Sequence, residues 1–490
     1  MTRTSSGSGA AVEAAGAVVL PLALAQFIAS YAGSNMNVAI TTIADDLGTT
    51  VSAIQTTITL FTLTMAALMI PGSKLTDIWG RKVCFIVGLV IYGVGALLAT
   101  FSQGISTLII GYSLLEGIGS ALMIPPIYIL VTVLFADIRT RAKYFGLVSG
   151  AGGIGAAAGP LIGGLVTSYI SWRASFILQV LVVASIVLLA RRIVDPPLPA
   201  ERPRFDGFGA VLSAMGLFFV VFGILQSSTY GWLTASKDFT IGGTVLIAKG
   251  GISPVWVFVA LGVAFLVAFF VHVRLREKAG RTPLVSPSLF RNKTSNLGLL
   301  TQSMQWLVLQ GSFFVISVFL QQVRGYSAIE TGLMLLPATI GVLATSAIAE
   351  RMARRHSQRR LIRGGFGLTV IGLGLLLALA REQSGVWTFV PGLFLMGAGI
   401  GIMLTASVNL VQSSSPEEVQ GDISGVSRSV SNLGSSLGVA IAGSVLVGAA
   451  VPGGKPFAVA LVILGTVALA GFVVAIFIPR PVEADDRQVV

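Results

Sequence analysis

The chain has 490 residues, 54% of them hydrophobic and only 11% charged. A soluble domain carries about 25% charged residues, so a soluble globular protein is excluded and a polytopic membrane protein is indicated. The net charge of +12 calls for no nucleic acid, because a membrane protein concentrates Lys and Arg on its inner loops, close to anionic lipid.

Apolar stretches of about 20 residues fill the chain, each long enough to cross a ~30 Å hydrocarbon core as a helix. Fourteen spans are predicted, at 17–41, 51–72, 83–101, 106–130, 143–169, 174–193, 207–227, 253–274, 294–323, 328–349, 361–381, 387–412, 423–449 and 456–478. They are called spans 1 to 14 below. The apolar stretch inside 228–252 is too short to span and is expected to form a loop or hairpin. With the N-terminus placed in the cytoplasm, 25 Lys and Arg fall on inner segments, 6 fall on outer ones, and Arg428 lies inside a span. That asymmetry predicts a cell-membrane protein, inner or plasma, with both termini cytoplasmic. The N-terminal 13 residues are polar and the first apolar stretch outruns a signal-peptide core, so no cleaved signal is expected.

Span 1 carries Gln26, Ser30, Ser34 and Asn37 at helical spacing, with Tyr31 beside them. Such a face either lines a polar cavity or joins helices. The loop after span 2 reads Gly72-Ser-Lys-Leu-Thr-Asp77-Ile-Trp-Gly80-Arg81-Lys82: one acid in a basic turn, with a glycine at the bend. Span 4 holds Tyr112 and Glu116, and Glu116 is the only one of the 20 acids well inside a span. It lies ten residues past the start of that span, roughly 15 Å deep at 1.5 Å per residue. A charge there costs at least ~2.5–3.5 kcal/mol, so such residues usually work. Glu116 is a candidate proton carrier, with Tyr112 one turn away as a hydrogen-bond partner. The alternative is a protonated Glu that packs helices.

Span 5 contains Gly155, Gly159 and Gly163 on one helix face, with Pro160 and Gly164 between and beside them. Small residues at that spacing let backbones approach closely, and Pro160 invites a bend. After span 6 the Pro/Arg stretch 195–204 reads as a stiff linker. Two spans follow, then a second basic linker, 274–293, then six more spans. This predicts an N-terminal six-helix bundle (1–194), a two-helix insertion with linkers (195–293) and a C-terminal six-helix bundle (294–490). Transporters built from repeats bind substrate at the repeat interface. Span 9 offers Gln302, Gln305, Trp306, Gln310 and Phe313 to such a cavity, and span 13 offers Arg428 and Asn432. Arg428 either lines the cavity or snorkels to the inner surface. Amides with aromatics suit apolar or amphipathic molecules, cations held by cation–π contact included.

One cysteine, Cys84, rules out an internal disulfide, and two histidines, His272 and His356, cannot build a Cys/His metal cluster. No metal, cofactor or enzymatic motif is expected.

The loop carrying Leu75, Asp77, Gly80, Arg81 and Lys82 resembles the signature loop of the major facilitator superfamily, with Ser73 replacing that pattern's first glycine. The resemblance implies an all-α fold of 14 transmembrane helices (6+2+6), working as a monomer, in which this loop latches the two halves together on the inner face. Gly155-x-x-x-Gly159-Pro160-x-x-Gly163-Gly164 looks like the antiporter motif of the superfamily's exporters. The span count and the stretches Trp172-Arg173, Phe205-Asp206-Gly-Phe-Gly209, Pro283 to Asn292 and Gly325 to Pro337 resemble its 14-span drug:proton antiporter branch (EmrB/QacA type). The resemblance therefore implies efflux of hydrophobic or amphipathic small molecules in exchange for protons, with membrane lipids as the surround. The chain departs from that branch twice. Ala32 stands where the branch usually has an Asp, and Tyr112 and Glu116 replace its span-4 Arg and Gln. Proton chemistry is thereby rearranged or lost. Export of a lipid-like metabolite, or a facilitator or receptor-like member without proton coupling, are the alternatives.

Overall fold

The structure is a computed structural model that describes residues 6–135, 138–193, 204–241, 244–353, 355–414, 420–446 and 454–479. The predicted linker 195–204 lies outside the described residues except for Arg204. Twelve helices are long and apolar enough to cross a membrane, and two bent pairs raise the number to 14. The pairs are Gly146–Ala156 with Ala158–Tyr169, and Ala328–Met334 with Leu336–Ser346, each bent by 43°. The twelve helices fall on twelve of the predicted spans, and the two bent pairs fall on predicted spans 5 and 10.

Several of the chain's short motifs turn out to start helices. The Asp206 carboxylate accepts from Gly209 N at 3.0 Å and caps span 7 (Gly207–Leu225). Asn292 accepts from Thr294 N and Ser295 N and caps span 9 (Lys293–Val318). Ser327 and Glu330 form a reciprocal capping box at the start of span 10, just after Gly325 at φ +68. These side chains satisfy the otherwise orphaned N–H groups of a first turn.

The helix pairings repeat with an offset of eight spans. Span 1 packs on span 5 and span 9 on span 13; span 2 on span 4 and span 10 on span 12; span 3 on spans 4 and 6, and span 11 on spans 12 and 14. Glycines allow the closest of these contacts. A Cβ on Gly88 would lie 2.7 Å from the Gly119 carbonyl, and one on Gly372 would lie 2.7 Å from the Gly392 carbonyl. The two sets of six meet along two seams, span 2 on span 13 and span 5 on span 10. Spans 7 and 8 (Pro254–Lys278) pack on each other, and span 7 lies over the seam between spans 2 and 13. Their connection is a hairpin, as expected, with Phe239–Ile241 antiparallel to Thr244–Ile247. Phe239 anchors it edge-on against Tyr230 and Phe258.

Candidate functional site: a central cavity closed at both ends

A cavity of about 50 Å³ lies between the two sets of six. Gln26, Ser30 and Gly33 of span 1, Phe61, Thr62 and Met65 of span 2, Trp306 and Gln310 of span 9, and Arg428, Ser431, Asn432 and Ser435 of span 13 supply most of its wall. Sites for drug-sized ligands run to roughly 300–1,000 Å³, so in this conformation the cavity is too small to hold one.

The closure is visible at both ends. At the end carrying the Lys/Arg-rich loops, Lys74 Nζ lies 2.6 Å from Asp422 Oδ1 across the span 2–span 13 seam. Next to it, a Cβ on Gly425 would lie 3.1 Å from Ser73 Cβ. Among the described residues Asp77 of the signature loop makes no ion pair; Lys74 and Arg81 attract it and Asp422 repels it. Gly80 ends span 2 at φ +102, a conformation that L side chains rarely adopt, and span 3 starts directly after it. Lys82 Nζ donates to the Arg191 carbonyl at 3.2 Å. The expected turn is thus the helical end of span 2, which runs to Trp79 before Gly80; Lys82 ties it to span 6, while the cross-seam bond is made by Lys74.

At the opposite end Gln321 joins the halves. Its Nε2 donates to Asn37 O at 3.1 Å, and its Oε1 accepts from Thr41 N and Thr41 Oγ1 at 3.2 and 2.9 Å. Ile329 N donates to Ser168 Oγ at 2.9 Å across the span 5–span 10 seam. The glycine motif of span 5 has two jobs here. Gly155, Gly159 and Gly163 lie against span 1, where added Cβ atoms would stand 2.3 Å from Phe27 O, 2.0 Å from Ser34 Oγ and 3.0 Å from Asn35 O. Gly164 faces the other half, 2.6 Å from the Ala328 carbonyl by the same measure, and Gly332 approaches the Pro160 carbonyl to 2.8 Å.

The candidate cavity residues divide. Gln26, Trp306, Gln310, Arg428 and Asn432 line the cavity. Gln302 instead bonds Ser427 and Ser431 Oγ, and Gln305 Oε1 accepts from Ser407 Oγ at 2.9 Å, so both amides join helices. Ser34 packs under Gly159, Phe313 is buried in the core, and Asn37 is buried at the Gln321 contact. Tyr31 is fully buried and does not line the cavity. Arg428 does not snorkel. It donates to Tyr128 Oη, and its guanidinium lies 4.5 Å from that ring's centroid.

Glu116 is fully buried inside the N-terminal set and does not line the cavity. The helix widens to a π turn over Ile109–Glu116 and ends on this residue; such turns are frequent at functional sites. Tyr112 Oη donates to the Ala32 carbonyl at 2.9 Å, not to Glu116, and its ring stacks on Phe61 with centroids 4.6 Å apart. Phe61 therefore has the cavity on one side and Tyr112 on the other. Tyr31, Tyr92 and Tyr112 are coupled electrostatically to Glu116. Tyr92 donates its hydroxyl to Gln179 Oε1. Both Glu116 oxygens, Tyr31 Oη, Gln179 Nε2 and Asn35 Oδ1 have no hydrogen-bond partner. Among the described residues the Tyr92 hydroxyl is close to Glu116 but donates to Gln179, so little offsets the desolvation of an ionised carboxylate there.

Residues of span 2, Gln321 and Asp422 escaped the sequence reading. A signal for span 2 was present: Gln55, Thr56, Thr57, Thr59, Thr62 and Thr64 make it polar for a lipid-facing helix. Among the described residues no group of three or more His, Cys, Asp or Glu could hold a metal ion.

Comparison with known proteins agrees with this architecture. The sequence matches the family model for the Major Facilitator Superfamily over residues 22–439, and again over 340–489. It is 28% identical over 425 residues to a probable actinorhodin transporter of Streptomyces coelicolor, covering 85% of this chain and 70% of that one. It is 29% identical over 433 residues to the puromycin resistance protein pur8 of Streptomyces alboniger, covering 87% and 80%. A multidrug resistance protein, Stp, of Mycobacterium tuberculosis is 25% identical over 411 residues, covering 84% and 72%. In fold the chain is similar to the human organic anion transporter MFSD10, with a TM-score of 0.60 over 94% of this chain and 99% of that one, at 13% identity. The repeated pairings, the two seams and the sequence match place this chain in the Major Facilitator Superfamily, as a membrane transporter and not an enzyme.

Proposed function

We propose that the chain exports hydrophobic or amphipathic small molecules across the cell membrane by alternating access. The observation that carries this is the cavity between spans 1, 2, 9 and 13, shut at one end by Lys74–Asp422 and at the other by Gln321. Both are polar contacts between the halves, made at opposite ends of the cavity. Relatives named for actinorhodin transport and for puromycin and multidrug resistance support export of such molecules. The repeated pairings support a division into bundles 1–194 and 294–490 with 195–293 inserted between them. The Lys/Arg distribution supports cytoplasmic termini.

Exchange with protons is the finer part of the proposal, with Glu116 as the proton carrier. The stack of Tyr112 on Phe61 connects the carboxyl's surroundings to the cavity wall, so a change at one is felt at the other. Tyr112 positions this layer rather than bonding Glu116. A second reading, facilitated transport without protons, is favoured by Ala32 at the usual acid position and by the burial of Glu116 away from the cavity. Accumulation of aromatic dyes in an efflux-deficient bacterial host tests the export reading. Cells making the chain should hold less dye than cells making a Gly159→Leu variant; equal accumulation across a broad panel would count against export.

A further inference from the structure

We infer that the cavity selects anionic amphiphiles and that Arg428 is the residue that binds their negative charge. The inference rests on the reading of this cavity as the transport site. Among the described residues Arg428 is the only ionisable side chain on the cavity wall; every other polar side chain there is a neutral hydroxyl, amide or indole. Among the described residues no carboxylate pairs with it. Its one hydrogen bond goes to Tyr128 Oη, and one guanidinium face is covered by that ring. A guanidinium has five N–H donors in a fork that fits a carboxylate or phenolate. Among the described residues no hydrogen bond to a protein acceptor other than Tyr128 is made by Arg428.

A cation held at membrane depth without a counter-charge is costly, and such residues usually mark a substrate pathway. The surroundings complete a site for an aromatic anion. Asn432 and Ser431 stand on the same helix as Arg428, and Gln26 faces them from span 1. Phe61 and Trp306 supply apolar ring walls. This sharpens the sequence expectation, which allowed cations held by aromatic rings. The ring best placed for that, Tyr128, is already occupied by the guanidinium. A substrate cation would meet Arg428 with no acid on the wall to offset the repulsion.

Fluorescein and rhodamine 6G share a xanthene body and carry opposite charge, which makes them a matched pair. Binding to purified full-length protein is read by dye anisotropy, and transport by dye movement in proteoliposomes. Wild type should bind fluorescein at least about ten-fold tighter than rhodamine 6G, the size expected for a charge-assisted hydrogen bond. Arg428→Gln should lose about that factor for fluorescein and none for rhodamine 6G, and Arg428→Lys should recover part of it. Equal binding of the two dyes by wild type, or tighter binding of rhodamine 6G, overturns the inference without any variant. So does an Arg428→Gln protein that loses both dyes alike, since the arginine would then be a strut to Tyr128. Movement of rhodamine 6G alone leaves transport through this cavity standing and removes only the anion selectivity. Binding and movement of neither dye removes both.

Discussion

Removing the Lys74–Asp422 pair should open the basic end of the transporter. The pair spans 2.6 Å, and its side chains are 23% and 18% exposed. Exposed pairs contribute about 0.2–1 kcal/mol, and breaking a fully buried one costs about 3–5 kcal/mol. A pair four-fifths buried falls between, but Asp77 lies beside Asp422, and losing Asp422 relieves that like-charge repulsion. About 1.5 kcal/mol is therefore expected for Asp422→Asn, which is roughly a ten-fold shift in the ratio of closed to open states. The assay is the labelling rate of a cysteine placed on the cavity wall, Ser431→Cys in a Cys84→Ser background. A membrane-impermeant maleimide is added from the basic side. The rate should rise about ten-fold in Asp422→Asn, and Lys74→Gln added to it should raise it no further, because the two changes remove one interaction. A rate within two-fold of the parent, or independent increases that multiply, would refute the latch.

Asp77→Asn should act on the same closure more weakly, since Asp77 holds Lys74 and Arg81 without bridging the seam itself; transport should fall in a protein that still inserts, and full transport at normal expression would remove Asp77 from the latch. Gly159→Leu should block transport, because even a Cβ at 159 would stand 2.0 Å from Ser34 Oγ and a branched side chain would drive spans 1 and 5 apart; normal transport would place that face elsewhere. Gln321→Ala should open the end opposite the basic loops, seen as faster labelling of Ser431→Cys from that side, because it removes the bonds to Asn37 and Thr41; an unchanged rate would mean the span 5–span 10 seam closes that end alone.

The sequence located the spans because hydropathy at membrane thickness is a local signal with a fixed length. Gly155, Gly159 and Gly163 were legible for the same reason: a small-residue stripe can be read on one helix. Polar residues inside spans were less legible. Gln305 and Trp306 are adjacent in sequence, yet one bonds Ser407 and the other lines the cavity. Which does which depends on helix rotation, and a helix polar on two faces leaves that open. Partners were the least legible. Lys74 meets Asp422 and Tyr128 meets Arg428 across 300 or more residues of chain, and no periodicity connects them. Tyr112 lies one turn from Glu116 in sequence yet bonds the Ala32 carbonyl, on another helix.

Proton coupling decides between an antiporter and a facilitator, and one measurement addresses it directly. Wild-type protein and Glu116→Gln, which keeps size and polarity but cannot titrate, are reconstituted in proteoliposomes with a transported dye. Dye flux is followed under an imposed pH gradient and under a dye gradient alone. The account predicts that the pH gradient drives wild type to accumulate dye against its gradient. Glu116→Gln should then equilibrate dye without responding to pH. Glu116→Gln that still accumulates dye as wild type does would make the residue structural, and wild type that ignores the pH gradient would make the protein a facilitator.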